Sequence, residues 1–371
     1  MRVVVLASFA ESLINFRGHF IQAMVSEGHE VVAIAPDLSE KTTSLLGGWG
    51  VKTYSIVLNR TGMNPLQDWQ SYRSLVVLLG KLQPHCLFSY TVKPVIYGSL
   101  AAHQAGVPRI YSMITGLGYA FMGRNWKDRI VGSGIRWLYH RALRVNQKLF
   151  FQNPDDRDLF IRLRLLQSAD QTVIINGSGV DLDHFKPVSL PEAPVFLLVA
   201  RLLRDKGIVE YVTAAGRLKK KYPNARFLLV GWYDQHPTAI QPQEVAAWER
   251  LLGVEYLGVK KDVREVMAMA SIYVLPSYRE GTPRTVLEAM AMGRPVITTD
   301  TPGCRETVSE GGNGLLVTVK DDVSLATAME TMILDRALRG RMGERGREIA
   351  EQKYDVHKVN EVLMKTMGLL R

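Results

Sequence analysis

The stretch that decides the fold runs from residue 277 to residue 297 and reads SYREGTPRTVLEAMAMGRPVI. An apolar run at residues 272–275 precedes it, and a second apolar run starts at Val296, which predicts two buried strands. Between them lie a loop with glycine and proline and a segment, residues 285–292, with helical spacing. This order of strand, loop, helix and strand predicts a βαβ unit.

Two carboxylates stand in this unit, Glu280 in the loop and Glu288 in the predicted helix. Ligands of open α/β sheets bind outside the carboxyl ends of the strands, where this loop lies. Backbone amides at the start of the helix, around Arg284 and Thr285, are able to bind an anion. The arrangement suits a sugar attached to a diphosphate. The alternative is that both acids are solvated surface residues.

The pattern Glu280-x7-Glu288 followed by Ala-Met-Ala-x-Gly-x-Pro-Val resembles the signature of retaining GT-B glycosyltransferases of family 4. The resemblance spans nearly the whole chain and implies an α/β fold, GT-B, with two Rossmann-like domains whose parallel sheets face a central cleft. It also implies that Glu280 contacts the hydroxyls of the donor sugar and that Glu288 contacts the nucleotide ribose. We therefore expect Gly281, Arg284 and Thr285 to line the donor site.

Length and composition fit a globular protein of two or three domains, with 371 residues of which 47% are hydrophobic. No apolar run approaches the roughly 20 residues that span a bilayer. The first eight residues read as a strand rather than as a signal peptide, which would be longer. The two cysteines, Cys86 and Cys304, form neither a disulfide framework nor a zinc pattern, so a reducing cytosol is expected.

The net charge of +10 is concentrated in part between Arg109 and Lys148, where Asp128 is the only acid. The basic residues inside this region are Arg124, Lys127, Arg129, Arg136, Arg141 and Arg144, and the aromatic ones are Tyr119, Phe121, Trp126, Trp137 and Tyr139. Basic residues interleaved with aromatic ones are typical of a surface that binds an anionic membrane. A solvated basic face is the alternative. No nucleic-acid motif accompanies the charge, so no nucleic acid is expected as a partner.

Strands and helices alternate in both halves, which predicts parallel sheets covered on both faces. In the first half, strands are predicted at residues 3–6, 31–35, 53–56, 86–89, 109–112, 148–151 and 172–175, and helices at 16–26, 39–46, 66–82, 95–105, 129–144 and 154–165. In the second half, strands are predicted at 195–200, 227–230, 255–257, 272–275, 296–298 and 315–317, and helices at 324–334, 337–352 and 356–367.

Three prolines within residues 185–194 interrupt the alternation and read as an interdomain linker. We therefore predict an acceptor-binding domain at residues 1–186 and a nucleotide-sugar-binding domain at residues 187–355. The terminal helix, about residues 356–371, is expected to pack back on the first domain.

The loop after the strand at residues 195–200 carries Arg201 and Lys206. A diphosphate leaving group needs cations that bind it more tightly as charge develops. The alternative is a pair of solvated cations. The run resembles the family segment Gly-Arg-Leu-x-x-x-Lys-Gly, with Ala200 in place of the first glycine, which implies that both cations hold the diphosphate. Gly231 follows the next strand, and the resemblance implies that its segment lines the nucleotide pocket.

The loop after the first strand contains the sequence Ser-Leu-x-Asn-Phe-Arg-Gly at residues 12–18. It lacks the Gly-Gly pair of many family members and resembles bacterial enzymes that extend undecaprenyl-diphosphate-linked sugars, in particular the N-acetylgalactosaminyltransferase-like subgroup. This implies that Asn15 and Arg17 bind the acceptor, although Arg17 also reads as a solvated first-turn residue. Lys93 and Thr115 follow later strands and are further acceptor candidates. Where many relatives carry a histidine, this chain has Thr115-Gly116.

No metal site and no cofactor are predicted. Asp181-Leu182-Asp183 has the Asp-x-Asp form of metal-dependent transferases, but it resembles the family's entry into the linker and is interpreted as structural.

Together with the resemblance, these features predict a metal-independent, retaining transferase that moves a sugar from a UDP-sugar to a polyprenyl-diphosphate-linked saccharide. The first candidate donors are UDP-N-acetylhexosamines, and UDP-hexoses are next. The product would belong to a bacterial surface glycan or a glycoprotein glycan. The protein is expected in the cytoplasm, peripherally associated with the inner face of the cell membrane. The alternatives are a GT-B sugar-nucleotide epimerase and a non-catalytic membrane-surface scaffold.

Overall fold

The computed structural model describes residues 1–59, 64–116, 126–166 and 168–370. The chain divides into two compact units, and each is described by itself. Unit 1 consists of Met1–Ser178 and His357–Arg371, and unit 2 of Gly179–Val356.

Unit 1 contains a seven-stranded parallel sheet in the order β3-β2-β1-β4-β5-β6-β7. Its strands are β1 (Arg2–Leu6), β2 (Glu30–Ala35), β3 (Lys52–Ser55), β4 (Cys86–Tyr90), β5 (Arg109–Ile114), β6 (Lys148–Phe151) and β7 (Thr172–Ile174). The helices of its first segment are α1 (Glu11–Asn15), α2 (Gly18–Ser26), α3 (Glu40–Gly48), α4 (Pro65–Leu82), α5 (Ser99–Gln104), α6 (Trp126–Leu143) and α7 (Pro154–Arg162).

Unit 2 contains a six-stranded parallel sheet in the order β10-β9-β8-β11-β12-β13. Its strands are β8 (Val195–Val199), β9 (Arg226–Val230), β10 (Val254–Tyr256), β11 (Ile272–Leu275), β12 (Val296–Thr299) and β13 (Gly314–Val317). Its helices are α8 (Ile208–Lys221), α9 (Pro242–Leu252), α10 (Arg264–Met269), α11 (Arg284–Ala291), α12 (Asp322–Leu334) and α13 (Arg336–Ile349), after which α14 (Val356–Met367) leads into unit 1.

Helix α14 contributes to the core of unit 1. Leu363, Met364 and Met367 are buried in the same apolar cluster as β1 and β2. At the other crossing between the units, residues 179–186 lie with unit 2, although the sequence placed the boundary at residue 186. Val180 explains this placement, because its N–H donates to the carbonyl of Tyr354 and its carbonyl accepts from the N–H of Val356.

In each sheet the chain order reverses at one pair of neighbouring strands, β1 and β4 in unit 1 and β8 and β11 in unit 2. The loops that leave such a pair diverge above the sheet, and ligands of doubly wound folds bind in the crevice between them. The topology therefore predicts that ligands bind at the loops after β8 and β11 and at those after β1 and β4.

The helix predictions differ from the structure in several places, and the helices α8, α9 and α10 of unit 2 were not predicted. The helix predicted at residues 16–26 is α2, which begins at Gly18, and the preceding helix α1 was not predicted. Arg17 separates the two helices, with φ −125° and ψ 2°. The helix predicted at residues 95–105 begins as a π-turn over Pro94–Gly98. There Gly98 approaches β1 so closely that a Cβ would lie 2.5 Å from Leu6 Cδ2. Within the described residues, no helix is long and apolar enough to cross a membrane.

Candidate active site

Lys206 and Glu280, from the loops after β8 and β11, form an ion pair. Lys206 Nζ donates to Oε1 of Glu280 over 2.5 Å. The two side chains are only 15% and 16% exposed. Because β8 and β11 are the neighbours at which the strand order reverses, their loops bring residues that are far apart in sequence to one place.

The segment after β11 braces the Lys206 loop. The backbone N–H of Tyr278 donates to the carbonyl of Asp205 over 2.8 Å, and Ser277 Oγ donates to the same carbonyl over 3.2 Å. Gly207 has a φ of 70°, and a Cβ there would lie 2.0 Å from the Pro276 carbonyl oxygen. Glycine is therefore required where the two loops meet.

Glu280 is fixed from its other side by the loop after β12. Its N–H donates to the carbonyl of Pro302 over 3.0 Å. Gly303 adopts a φ of 82°, and a Cβ on it would lie 2.1 Å from the Glu280 carbonyl oxygen and 2.6 Å from that of Gly281. Gly281 itself is buried. The backbone around Glu280 is thus fixed in position by close contacts with the loop after β12.

Arg201 forms a different contact, with Asp234 in the loop after β9. Its Nη1 lies 3.2 Å from Asp234 Oδ2, and the Arg201 side chain remains 37% exposed. Partial burial works to raise the pKa of Asp234, but the backbone N–H of His236 and the Arg201 guanidinium outweigh it and hold that pKa below its ordinary value. The contact orients the guanidinium while leaving much of it accessible.

Glu288 points inward from helix α11. The side chain is 7% exposed, and Arg284 Nε lies 2.8 Å from its Oε1 across one helical turn. Burial raises the pKa of Glu288, and the attraction of Arg284 opposes this shift without cancelling it. Sequence analysis treated Arg284 as an amide donor at the helix start. The structure adds that its side chain pairs with the second carboxylate.

Thr285 and Gly231, two of the candidate donor residues, lie close to residues in or next to strands of the sheet. The hydroxyl of Tyr273 lies 2.6 Å from Thr285 Oγ1 and 3.1 Å from the carbonyl oxygen of Val199. A Cβ on Gly231 would lie 1.9 Å from the carbonyl oxygen of Ala200, so glycine is needed for the loops after β8 and β9 to approach. All the donor candidates thus belong to unit 2.

The acceptor candidates belong to unit 1. Arg17 is 2% exposed, which rules out a solvated first-turn arginine. Its guanidinium carbon lies 5.1 Å from the ring centroid of Tyr90 and 6.0 Å from that of Phe88. Burial raises the pKa of Tyr90 to about 12, although Ser12 and Arg17 act to lower it. Asn15, at the end of α1, is exposed.

Lys93, after β4, is paired with an acid that the sequence did not single out. Its Nζ lies 2.6 Å from Asp68 Oδ1, with both side chains 12% exposed, and the Tyr97 hydroxyl donates to Asp68 Oδ2 over 3.0 Å. Thr115 is half-buried after β5. The loops after β1 and β4 meet where Ser8 Oγ lies 2.8 Å from Thr91 Oγ1.

The sequence pattern did not single out Asp234 or Asp68. Asp234 carried a usable signal, because it lies four residues after the end of β9, at the ligand-binding edge of the sheet. Asp68 gave none, since it lies in a helix that the sequence shows only as amphipathic.

Among the residues that the structure describes, no group of three or more His, Cys, Asp or Glu side chains is placed to hold a metal ion. Asp181 Oδ1 accepts from the backbone N–H groups of Asp183 and His184 over 3.0 and 2.9 Å, which closes a turn.

Part of the predicted membrane surface lies outside the described residues, namely Tyr119, Phe121 and Arg124. For Trp126, Lys127 and Arg129 the structure describes only helical backbone. Of the remainder, Arg141 stacks on Trp137, with its guanidinium carbon 5.5 Å from the ring centroid. Arg109 Nη1 donates to the Met367 carbonyl, and Lys148 Nζ to that of Asp170. These two boundary cations are therefore partly engaged within unit 1.

Solved structures with the same fold cover all or nearly all of the chain. The chain superposes on HepE of Anabaena in complex with UDP with a TM-score of 0.78 at 19% identity, covering 100% of both chains. It superposes on sucrose-phosphate synthase of Thermosynechococcus elongatus with a TM-score of 0.81 at 19% identity, covering 99% of this chain and 98% of the other. Both similarities extend over both units, and the fold is GT-B.

Two curated relatives cover most of the chain. A Campylobacter jejuni enzyme named N,N'-diacetylbacillosaminyl-diphospho-undecaprenol alpha-1,3-N-acetylgalactosaminyltransferase is 28% identical over 96% of this chain and 95% of its own. An Escherichia coli enzyme named UDP-Gal:alpha-D-GlcNAc-diphosphoundecaprenol alpha-1,3-galactosyltransferase is 27% identical over 74% of this chain and 72% of its own.

Family models match both parts of the chain in the expected order. A glycosyl transferase 4-like domain matches residues 16–177, and the domain of glycosyl transferases group 1 matches residues 180–349. The two matches leave only the chain ends and a short junction outside, and they include every candidate donor residue. The chain therefore belongs to the group 1, family-4-like glycosyltransferases of the GT-B fold.

Proposed function

We propose that this glycosyltransferase moves a sugar, an N-acetylhexosamine, from a UDP-sugar to a saccharide on polyprenyl diphosphate, with retention of configuration. The observation that carries the proposal is the Lys206–Glu280 pair, which sets a cation beside a carboxylate at the switch point of the unit 2 sheet. A nucleotide-sugar has the complementary pair of features, because its diphosphate is anionic and its sugar carries hydroxyl donors.

In the proposed reaction, the bond between the anomeric carbon and the diphosphate oxygen breaks while the acceptor hydroxyl bonds to that carbon from the same face. The departing phosphate oxygen accepts the proton of the acceptor, so no histidine base is needed. Lys206 and the exposed guanidinium of Arg201 stabilise the charge that develops on UDP. Glu280 holds sugar hydroxyls, and the buried Glu288 binds the ribose.

Arg284 and Thr285, with Gly281 and Gly231, complete the donor site in this proposal. The amides at the start of α11 and the Arg284 side chain favour an anion at this end of the helix. Because these side chains supply positive charge, we propose that the reaction requires no divalent metal and no cofactor.

The acceptor assignment rests on the two curated relatives, whose names specify undecaprenyl-diphosphate-linked sugars. In this chain, we assign the acceptor to Arg17, Asn15, Lys93 and Thr115 of unit 1. An acceptor held in a bilayer requires the enzyme to work at a membrane surface. We therefore place the protein in the cytoplasm, peripherally on the inner face of the membrane, with the region between Arg109 and Lys148 facing anionic lipid. The product belongs to a bacterial surface glycan or a glycoprotein glycan.

A donor screen that monitors UDP release, with and without a lipid-linked acceptor, tests the proposal. A transferase releases UDP from one class of UDP-sugar in proportion to the acceptor added. An epimerase would convert the UDP-sugar without needing the acceptor, and a non-catalytic scaffold would leave it unchanged. Either of these two results would contradict the proposed function.

A further inference from the structure

Helix α4 of unit 1 presents an apolar stripe to solvent. Leu66, Trp69 and Val77 are 74%, 54% and 55% exposed, and with Arg73 they recur at spacings of three and four residues, so they share one side of the helix. We call these four residues the α4 stripe. The opposite side carries the buried residues that pack on the sheet, Asp68, Ser71, Leu75 and Leu79.

Such a stripe is unusual for a surface helix. Exposed apolar side chains that occur singly are common, but large ones gathered on one surface indicate a binding site. Val57, in the loop after β3, is 70% exposed, and its carbonyl accepts from Ser71 Oγ of the same helix. Val57 is thus another exposed apolar side chain next to α4, although its contact is with the buried side of the helix and not with the stripe.

The charged residues on the exposed side of α4 have one sign. The guanidinium carbon of Arg73 lies 5.0 Å from the ring centroid of Trp69, and Lys81 is exposed two turns further along. The only acid in the helix, Asp68, lies on the buried side and is paired with Lys93. Large apolar side chains flanked by Arg and Lys, without an exposed acid, match the interface of an anionic bilayer.

The stripe also lies close to a candidate acceptor residue. Asp68 stands in the first turn of α4, between Leu66 and Trp69 in sequence, and it holds the Lys93 ammonium at 2.6 Å. The end of the helix that exposes the largest apolar side chains is therefore the end that contacts Lys93. A bilayer bound there would hold a lipid-linked acceptor near this side chain.

We propose that the α4 stripe is the apolar anchor of the protein, lying in the interface of an anionic membrane. This inference rests on the proposed membrane-linked acceptor. In this proposal two surfaces have different roles. The part of helix α6 whose side chains the structure describes exposes Arg141 and one large apolar residue, Trp137, and with Arg144 just after the helix it supplies charge. The α4 stripe supplies insertion, which salt does not screen.

The test measures binding of the full chain to vesicles of phosphatidylcholine and phosphatidylglycerol at high salt. The variant Leu66→Ser/Trp69→Ser removes the two largest apolar side chains of the stripe. Both are exposed, so its melting temperature should match that of the wild type. We expect its vesicle affinity to fall about tenfold or more, as for two large apolar groups withdrawn from an interface.

Trp137→Ala is the matched control, because Trp137 is also an exposed tryptophan of unit 1 with an arginine stacked on it. Its affinity at high salt should equal that of the wild type. Unchanged binding of the double variant, or an equal loss in Trp137→Ala, would overturn the proposal. So would a wild-type dimer that ignores vesicles and dissociates in the double variant, since the stripe would then bind a second copy.

A second readout separates this inference from the proposed function. The double variant should keep wild-type UDP release with an acceptor on a short, water-soluble prenyl diphosphate and lose it with the long-chain acceptor in vesicles. An equal loss on both acceptors would show that the stripe acts on the site itself and would overturn the anchor. If the wild type turns over neither acceptor while the double variant still loses vesicle affinity, the proposed function is refuted. The assignment of the α4 stripe as a membrane anchor is then retained.

Discussion

Nζ of Lys206 and Oε1 of Glu280 lie 2.5 Å apart although 74 residues separate them in sequence. They meet because β8 and β11 are neighbours in the sheet of unit 2 and their loops leave at the same edge. In the proposed reaction the ammonium holds the leaving diphosphate, while the carboxylate holds the sugar on the other side of the bond that breaks. The two residues of this one contact thus bind the two parts of the donor, the diphosphate and the sugar.

Replacing the cations tests the leaving-group assignment. We expect Lys206→Ala and Arg201→Ala each to lower turnover by about ten- to a thousandfold, because charge contacts made in the transition state have this magnitude. Lys220→Ala removes an exposed cation from the end of α8 and is the control, expected to keep wild-type turnover. Near wild-type rates in both Lys206→Ala and Arg201→Ala would refute the assignment.

A pair of glycine variants tests whether the position of Glu280 matters. Gly303 and Gly311 both have positive φ, 82° and 71°, so alanine strains the backbone at each. Only at Gly303 does a Cβ meet Glu280, whereas at Gly311 nothing lies within 4 Å. We expect Gly303→Ala to lose about a hundredfold in kcat, as displacements of about 1 Å in a site do. Equal kcat in the two variants would count against a positioned Glu280.

The buried carboxylate of Glu288 makes a prediction about pH. Burial raises its pKa above the ordinary 4.5. A raised folded-state pKa contributes stability that is complete below pH 4.5 and is lost as pH rises through the folded value. Relative to Glu288→Gln, the wild type should therefore melt at progressively lower temperature as pH rises above 4.5.

In the same variant the KM for the UDP-sugar should rise about tenfold, because a charged hydrogen-bond acceptor for the ribose is lost. Glu265→Gln, which changes an exposed acid on α10, should alter neither quantity. A Glu288→Gln protein with an unchanged KM would remove Glu288 from the ribose site. A melting curve with the pH dependence of the wild type would show that its burial has no effect on stability.

The proposed independence of the reaction from metal ions can also be tested. Because Arg201 and Lys206 supply positive charge to the diphosphate, UDP release should persist in excess chelator. The measurement is turnover before chelation, after chelation and after adding back magnesium or manganese. Loss of turnover that either ion restores would direct attention to Asp181 and Asp183 and contradict the metal-independent mechanism.

The fold was predictable from the sequence because hydrophobic runs and punctuating residues are local signals. The strand at residues 272–275 was predicted with its observed bounds, and α11 begins one residue before its predicted start. The strand order was not predictable, since periodicity does not say which strands pair. That order is what brings Lys206 to Glu280.

Side-chain burial was the other unpredictable feature. The sequence predicted Arg17 as an acceptor ligand and left a solvated helix residue as the alternative, but it did not predict burial against Tyr90 and Phe88. Asp68 lies in an amphipathic helix, and its role depends on its partners Lys93 and Tyr97, which come from another part of the chain. Both depend on tertiary contacts, which no local pattern encodes.

The most direct test of the central claim is the mass of the lipid-linked saccharide after incubation with the protein and a UDP-N-acetylhexosamine. We predict that the saccharide gains one N-acetylhexosamine residue, that an equal amount of UDP is released, and that the new linkage keeps the anomeric configuration of the donor. UDP release or sugar isomerisation with no gain in the mass of the lipid-linked saccharide would contradict the account.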